Sequence, residues 1–141
     1  PLTNLMSMNN ILYKQSGNPN GPILQWSQGR MADQPWDDPE RWRSQSPIEH
    51  VTKISTPFLI LHGTADGAVD WNQGLELYTA ARRLGKQVIL LSYPDEPHHL
   101  GKEPNQKDFQ LRMKQWFDHW LKGDPAPAWM TEGVPFLRKG K

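Results

Sequence analysis

Two short apolar runs with an amphipathic stretch between them dominate the hydrophobic pattern of this chain. Residues 57–61 and 87–92 are almost entirely apolar, and a polar segment containing glycine or proline follows each run. Apolar runs of this length, bounded by turn residues, are typical of strands covered on both faces of a parallel sheet. Between them, Leu77, Ala81 and Leu84 recur at helical spacing, which predicts a helix with one apolar face.

The predicted central helix has signals at both ends. Asp70 is a suitable N-cap, and Gln73 follows three residues later, as in a capping box. Gly85 stands where helices commonly end in a left-handed residue. A shorter helix is predicted to begin at Asp38–Pro39 and to end at Ser46–Pro47, because a residue before proline is displaced from the helical region.

A third helix is predicted over residues 106–122, with Asn105 as its cap and Gly123 at its end. Its apolar residues recur so as to form a wide stripe, which we expect to face a sheet. The stripe consists of Phe109, Met113, Trp116, Phe117 and Trp120.

The order strand, helix, strand, helix indicates the α/β class, with parallel strands and flanking helices. Residues 1–36 show weak periodicity, and residues 124–141 are rich in proline and are predicted to run extended over the surface. Two strands do not make a covered sheet by themselves, and free sheet edges favour association. We therefore expect residues 1–141 to be the C-terminal part of a larger domain, with more sheet N-terminal to Pro1, and we expect homo-oligomers.

Composition excludes several other classes of protein. The 16 Lys and Arg residues are scattered among 15 Asp and Glu residues, for a net charge of +1, so no nucleic-acid partner is expected. The absence of cysteine excludes disulfides and thiolate metal sites. No stretch approaches the roughly 20 apolar residues that span a bilayer, so no membrane partner is expected either.

Candidate chemistry follows the two predicted strands. Asp66 lies in a glycine-containing turn after the first strand, and His98 follows the second. Open parallel sheets place functional groups at the carboxyl ends of their strands, and an acid before a histidine is the order of the last two triad residues in α/β-hydrolases. The alternative is an aspartate that only binds amides of its own turn. Asp70 is a nearby competitor, although its role as an N-cap accounts for it better.

Two adjacent histidines compete for the role of base. His98 or His99 would accept a proton from a nucleophile and later return it to the leaving group. Pro97 restricts the backbone just before them, while the alternative is a pair of ordinary polar loop residues. Asp95 and Glu96 lie nearby, but no metal-ligand spacing such as H-E-x-x-H occurs, so we predict neither a metal nor a cofactor.

No serine in the sequence fits a nucleophile elbow. Ser27 is followed by Gly29, which is half of the G-x-S-x-G pattern, but Gln25 occupies the position of the first glycine. The chain is therefore expected to supply an acid and a base without the nucleophile, and to be inactive when alone.

These residues resemble the C-terminal part of the catalytic domain in the prolyl oligopeptidase family (S9) of serine peptidases. The resemblance extends over nearly the whole chain and rests on Leu61-His62-Gly63-x-x-Asp66-x-x-Val69, Asn72-Gln73, Tyr93-Pro94-Asp95-Glu96-Pro97-His98, Arg112 to Asp118 and Leu121-Lys122-Gly123. It implies an α/β-hydrolase fold with Asp66 as the triad acid and His98 as the base. The family usually has glycine on each side of this histidine, where the chain has Pro97 and His99, so His99 stays the second candidate.

The same resemblance implies that the rest of the machinery precedes Pro1. The nucleophilic serine, an oxyanion-hole tyrosine and an N-terminal β-propeller would all lie there, and the substrates would be short peptides. One alternative is an α/β-hydrolase that cleaves esters or other acyl groups, because one triad serves many substrates. Another is an inert hydrolase-like module with a structural or dimerisation role, since the nucleophile is missing.

Overall fold

The computed structural model describes residues 1–13 and 16–133. Its helices are α1 (Leu5–Asn9), α2 (Gly21–Trp26), α3 (Pro39–Ser44), a 3₁₀ helix (Pro47–Lys53), α4 (Trp71–Arg83), α5 (Glu103–Phe117), a π-helical turn (Asp118–Lys122) and α6 (Ala128–Thr131). Its strands are β1 (Phe58–Gly63) and β2 (Val88–Tyr93). These elements divide between two compact units, Pro1–Gly101 and the chain from Lys102 onward.

The two strands pair in parallel, as the sequence predicts. The register runs from Phe58 opposite Val88 to Gly63 opposite Tyr93, and α4 makes the crossover that parallel neighbours require. The α/β class is therefore confirmed. Because β1 and β2 end level with each other, the two segments that follow them begin side by side.

Two apolar clusters stabilise the first unit. One packs α4 and the 3₁₀ helix on the sheet, and its buried residues are Val51, Ile60, Leu77, Ala81 and Val88. The other joins the first three helices, and its buried residues are Leu5, Met8, Leu24, Met31 and Trp42. Leu84 departs from the predicted face, because α4 has already ended at Arg83 and the leucine is 47% exposed.

Three predicted helix signals are present in the structure. The Asp38 carboxylate accepts a hydrogen bond from the amide of Arg41 at the start of α3 (3.1 Å). The Asp70 carboxylate accepts one from the amide of Asn72 at the start of α4 (2.9 Å). Gly85 follows α4 with a φ of +68°, the left-handed conformation that glycine adopts without strain.

The predicted capping box is wrong, because Gln73 binds a distant segment instead. Its Oε1 accepts hydrogen bonds from the backbone amides of Thr3 (3.0 Å) and Asn4 (2.7 Å), and its Nε2 donates to Ser7 Oγ (2.8 Å). These amides precede or begin α1, where no intrahelical acceptor is available to them. Gln73 therefore fixes the start of a helix that weak periodicity did not predict.

In the second unit, α5 begins earlier than predicted. It starts at Glu103, and Lys102 is the N-cap without a side-chain hydrogen bond, so Asn105 is not the cap. Pro104 lies in the first turn, where the missing N–H costs nothing. Gly123 ends the helical stretch with a φ of +80°, as predicted.

The apolar stripe and the tail also depart from the prediction. Trp116 is buried, whereas Met113, Phe117 and Trp120 are 38 to 51% exposed. Residues 128–131 of the predicted extended tail form the turn α6, which is anchored by a hydrogen bond from the Trp129 indole to Gln115 Oε1 (2.7 Å). The rest of the tail, residues 134–141, lies outside the described residues.

No helix in the described part of the chain is long and apolar enough to cross a bilayer.

Candidate active site

Asp66 lies in a tight turn directly after β1. Its amide donates to the carbonyl of Gly63 (3.2 Å), and its Oδ1 accepts hydrogen bonds from the amides of Ala68 and Val69, both at 2.9 Å. The aspartate is 3% exposed. It therefore stabilises its own turn, as one of the two interpretations of the sequence predicts.

The segment after β2 is bound to this turn along its backbone. The amide of Thr64 donates to the carbonyl of Tyr93, and the amide of Ala65 donates to the carbonyl of Glu96, both at 3.0 Å. The Asp95 amide donates to Thr64 Oγ1 (2.9 Å). Three hydrogen bonds thus join two segments that are about 30 residues apart in sequence.

Gly63 permits this close approach. A Cβ atom at position 63 would lie 2.1 Å from the carbonyl oxygen of Glu96 and 2.6 Å from that of Pro97. Both neighbours are backbone atoms, so the clash could not be relieved by turning a side chain. The glycine after the first apolar run is therefore required for the contact between the two loops.

His98 lies beside Asp66. Its Nδ1 is 2.9 Å from Oδ2 and 3.1 Å from Oδ1 of the carboxylate. An Nδ1 that faces two acceptors carries the proton, which leaves the lone pair of the neutral ring on Nε2. The His98 side chain is 44% exposed, so this basic nitrogen belongs to an accessible ring.

His99 occupies a different position. Its ring packs edge-on against that of His98, with the ring centroids 5.0 Å apart. The described histidine contacts of the Asp66 carboxylate are made by His98 and His62, not by His99. Of the two adjacent candidates, the structure thus brings His98 to the acid.

The environment of Asp66 favours its charged form. Burial opposes ionisation, but hydrogen bonds from His98 and from the amides of Val69 and Ala68 outweigh it, so the pKa of Asp66 lies below its ordinary value. The carboxylate is therefore ionised at neutral pH. It can hold the His98 ring in one tautomer and stabilise an imidazolium when one forms.

A second histidine, His62, lies behind the same carboxylate. Its Nε2 is 2.9 Å from the carbonyl oxygen of Val69 and 3.2 Å from Asp66 Oδ2, so Nε2 bears the proton. Its Nδ1 is buried without a described partner, and a Cβ atom on Gly74 would lie 2.4 Å from it. Burial lowers the pKa of His62, which is consequently neutral. The i, i+4 spacing of His62 and Asp66 was the signal available in the sequence.

Glu96 is the other residue that sequence reasoning missed. It is fully buried, and its Oε2 accepts a hydrogen bond of 2.6 Å from the amide of Gly101. The sequence places this acid between prolines in a polar loop, which suggests a surface position. Within the described residues no three His, Asp or Glu side chains lie together so as to hold a metal ion.

Ser27 lies in a setting unlike that of a nucleophile. It follows the last residue of α2, so a helix leads into it where an elbow needs a strand. It is exposed on the surface of the first unit.

Comparison with known families gives one match. The sequence profile described as "Prolyl oligopeptidase family" matches residues 12–124. The matched range includes β1, β2, Asp66 and His98.

Individual proteins show the same relationship. The chain is 35% identical over 96 residues to dipeptidyl-peptidase 5 of Porphyromonas endodontalis, an alignment that covers 65% of this chain and 14% of that protein. It is 31% identical over 86 residues to the acylamino-acid-releasing enzyme of Arabidopsis thaliana, covering 61% of this chain and 11% of that enzyme. The chain thus spans about a seventh or less of the length of these relatives.

Solved structures share the fold. The acylaminoacyl peptidase of Pyrococcus horikoshii aligns with a TM-score of 0.52 and 25% identity, over 59% of this chain and 14% of that one. Isopeptidase AtxE2, solved with bound astexin3-dC4, aligns with a TM-score of 0.59 and 24% identity, over 88% of this chain and 19% of that one.

Proposed function

Since the chain belongs to the prolyl oligopeptidase family, we propose that it supplies the acid and the base of a serine peptidase triad. The observation that carries this proposal is the pair formed by buried Asp66 and accessible His98, with Nδ1 2.9 Å from Oδ2. His98 is the base and Asp66 is the residue that orients it. The nucleophilic serine belongs to polypeptide outside these 141 residues.

The geometry supports a two-stage acyl transfer. His98 Nε2 accepts the serine proton as the serine oxygen attacks the peptide carbonyl carbon. The resulting imidazolium is stabilised by the Asp66 carboxylate and then protonates the leaving amine as the C–N bond breaks. In the second stage, water gives a proton to His98 as it attacks the acyl carbon, and His98 returns that proton to the serine oxygen as the bond between this oxygen and the acyl carbon breaks.

We further propose that the substrates are short peptides and that the nucleophile lies upstream, together with a β-propeller. Relatives named as a dipeptidyl-peptidase and an acylamino-acid-releasing enzyme support the peptide class, and their greater length supports the additional domains. Assembly into homo-oligomers is part of the same proposal.

The test uses the intact polypeptide that contains these residues. We expect His98→Ala to lower kcat for a short peptide amide by roughly 10⁴- to 10⁶-fold, since it removes the base. The matched control is His99→Ala, which we expect to retain most of the activity. Near-normal turnover in His98→Ala, or a comparable loss in His99→Ala, would contradict the assignment.

Two further measurements separate this function from its alternatives. Faster turnover of matched esters with no turnover of peptide amides would favour an esterase. A polypeptide that reacts with no fluorophosphonate probe and cleaves neither substrate would favour a structural or dimerisation module.

A further inference from the structure

We propose that Glu96 is a positioning residue, whose buried carboxylate closes the 96–101 loop and thereby holds His98 against Asp66. The catalytic consequence rests on the proposed function, whereas the effect on the geometry of His98 does not. His98, Asp66 and Glu96 would then form one unit in which the glutamate acts only through the backbone.

The side chain of Glu96 makes the first anchor of this loop. Its carboxylate is fully buried, and Oε2 receives the Gly101 amide at 2.6 Å, a short distance typical of a charge-assisted hydrogen bond. The bond joins the two ends of a six-residue segment that contains both adjacent histidines. Carboxylates are seldom buried in full unless they are paired or hydrogen-bonded, so a buried glutamate here indicates a specific role.

The backbone of Glu96 makes the second anchor. Its carbonyl accepts from the Ala65 amide (3.0 Å), and its own amide donates to the Tyr93 carbonyl (3.4 Å). One residue thus binds the turn that holds Asp66 through its main chain and the far end of the histidine loop through its side chain.

Between the two anchors, Pro97 and His98 are exposed on the surface. Pro97 has no N–H to donate, and the side chain of His98 is 44% exposed, so burial does not fix the ring. The position of His98 therefore depends on where the ends of its loop are held. A displacement of about 1 Å in a catalytic group can cost about 100-fold in rate.

Three substitutions separate the hydrogen bond from the charge. Glu96→Leu removes the acceptor, Glu96→Gln retains the length and a carbonyl acceptor without the charge, and Glu96→Asp retains the charge but is one methylene too short. In the intact polypeptide, we expect Glu96→Leu and Glu96→Asp to lower kcat by about 100-fold with little change in KM. We expect Glu96→Gln to stay within about tenfold of the unmodified protein, as one weakened hydrogen bond implies.

The matched control is Asp95→Asn, which removes the neighbouring, exposed carboxylate. Asn tolerates the positive φ of 57° at this position, and the amide that donates to Thr64 remains. We expect normal kcat. If Asp95→Asn lowered kcat as much as Glu96→Leu does, the proposal would be overturned. The loss would then depend on any negative charge in the loop and not on the hydrogen bond of Glu96.

A spectroscopic measurement tests the geometry without relying on activity. The Nδ1–H proton of His98, hydrogen-bonded to Asp66, should give a low-field proton resonance that is assigned by its loss in His98→Ala. We expect this resonance to persist in Glu96→Gln and to vanish or shift in Glu96→Asp, or in Glu96→Leu where that variant folds. An unchanged resonance and kcat in Glu96→Leu or Glu96→Asp would overturn the proposal, as would equal losses in Glu96→Gln and Glu96→Asp. Activity in His98→Ala would instead defeat the proposed function, and the resonance comparison would still decide the role of Glu96.

Discussion

The imidazole of His62 and the imidazole of His98 bind the same carboxylate, that of Asp66, with Nε2 of His62 3.2 Å from Oδ2 and Nδ1 of His98 2.9 Å from it. The two rings differ in exposure: the side chain of His62 is 2% exposed and that of His98 is 44% exposed. Because His62 is neutral, the full charge of Asp66 remains available to an imidazolium at His98.

This arrangement predicts how stability depends on pH. The pKa of His62 is lowered by burial, so the unfolded state binds its proton more readily than the folded state does. The stability contributed by neutral His62 is fully present above its ordinary pKa of 6.5 and is lost as the pH falls below that value. Asp66, whose pKa is lowered from 3.8, adds a second loss below about pH 3.8.

The measurement is the free energy of unfolding in urea, compared for the intact polypeptide and its His62→Gln variant. Gln retains an N–H donor but does not titrate in this range. We expect its stability to fall less steeply between about pH 6.5 and 5. Equal slopes in the two proteins would show that protonation of His62 does not cause this loss of stability.

Asp66→Asn should separate the charge of this residue from its structural role. The Asn carbonyl oxygen can still accept from the amides of Ala68 and Val69, so the turn keeps its shape. The NH₂ group facing His98 would favour the wrong tautomer, and we expect kcat to fall by about 10⁴-fold. Asp70→Asn is the matched control, because Asn is an equally good N-cap. Comparable losses in both variants would argue against a specific role for Asp66.

Gly74→Ala should destabilise the protein, although the same substitution usually stabilises a helix by up to about 1 kcal/mol. The new Cβ would lie 2.4 Å from Nδ1 of His62, and overpacking of this kind costs about 1–3 kcal/mol. Adding His62→Ala should relieve the clash, so the double variant should lose less than the sum of the single variants. Unfolding free energies that simply add would contradict this contact.

Trp42 should be the most sensitive position of the apolar cluster that joins the first three helices. It is fully buried, and Trp42→Ala is expected to cost about 3–5 kcal/mol in unfolding free energy. Trp42→Phe should cost clearly less, because it also removes a buried indole N–H that has no described partner. Urea unfolding of both variants measures the two losses in free energy. A larger loss in Trp42→Phe than in Trp42→Ala would contradict the prediction.

Local signals were sufficient to predict the two strands and α4. The apolar runs predict β1 and β2, and Asp70 and Gly85 mark the ends of α4. All of these features depend on neighbours within one or two helical turns, which the sequence places next to each other.

The remaining features depend on distant partners or on how loops fold back, neither of which a local pattern shows. Gln73 satisfies amides about 70 residues earlier, which no window of sequence shows. Glu96 is buried by the return of its own loop, and the composition of that loop indicates exposure. The sequence places His62 at the end of a strand, and only the fold of the following turn brings the Asp66 carboxylate to its side chain.

The backbone hydrogen bonds between the loops after β1 and β2 also bear on motion. They connect Thr64 with Tyr93 and Ala65 with Glu96, so the loops that carry Asp66 and His98 are bonded to each other. Any opening or closing of a substrate cleft would then carry both side chains together. In the proposed triad, Asp66 would keep its distance from His98 throughout, and the distance left to adjust during a catalytic cycle would be the one between His98 and the proposed nucleophile.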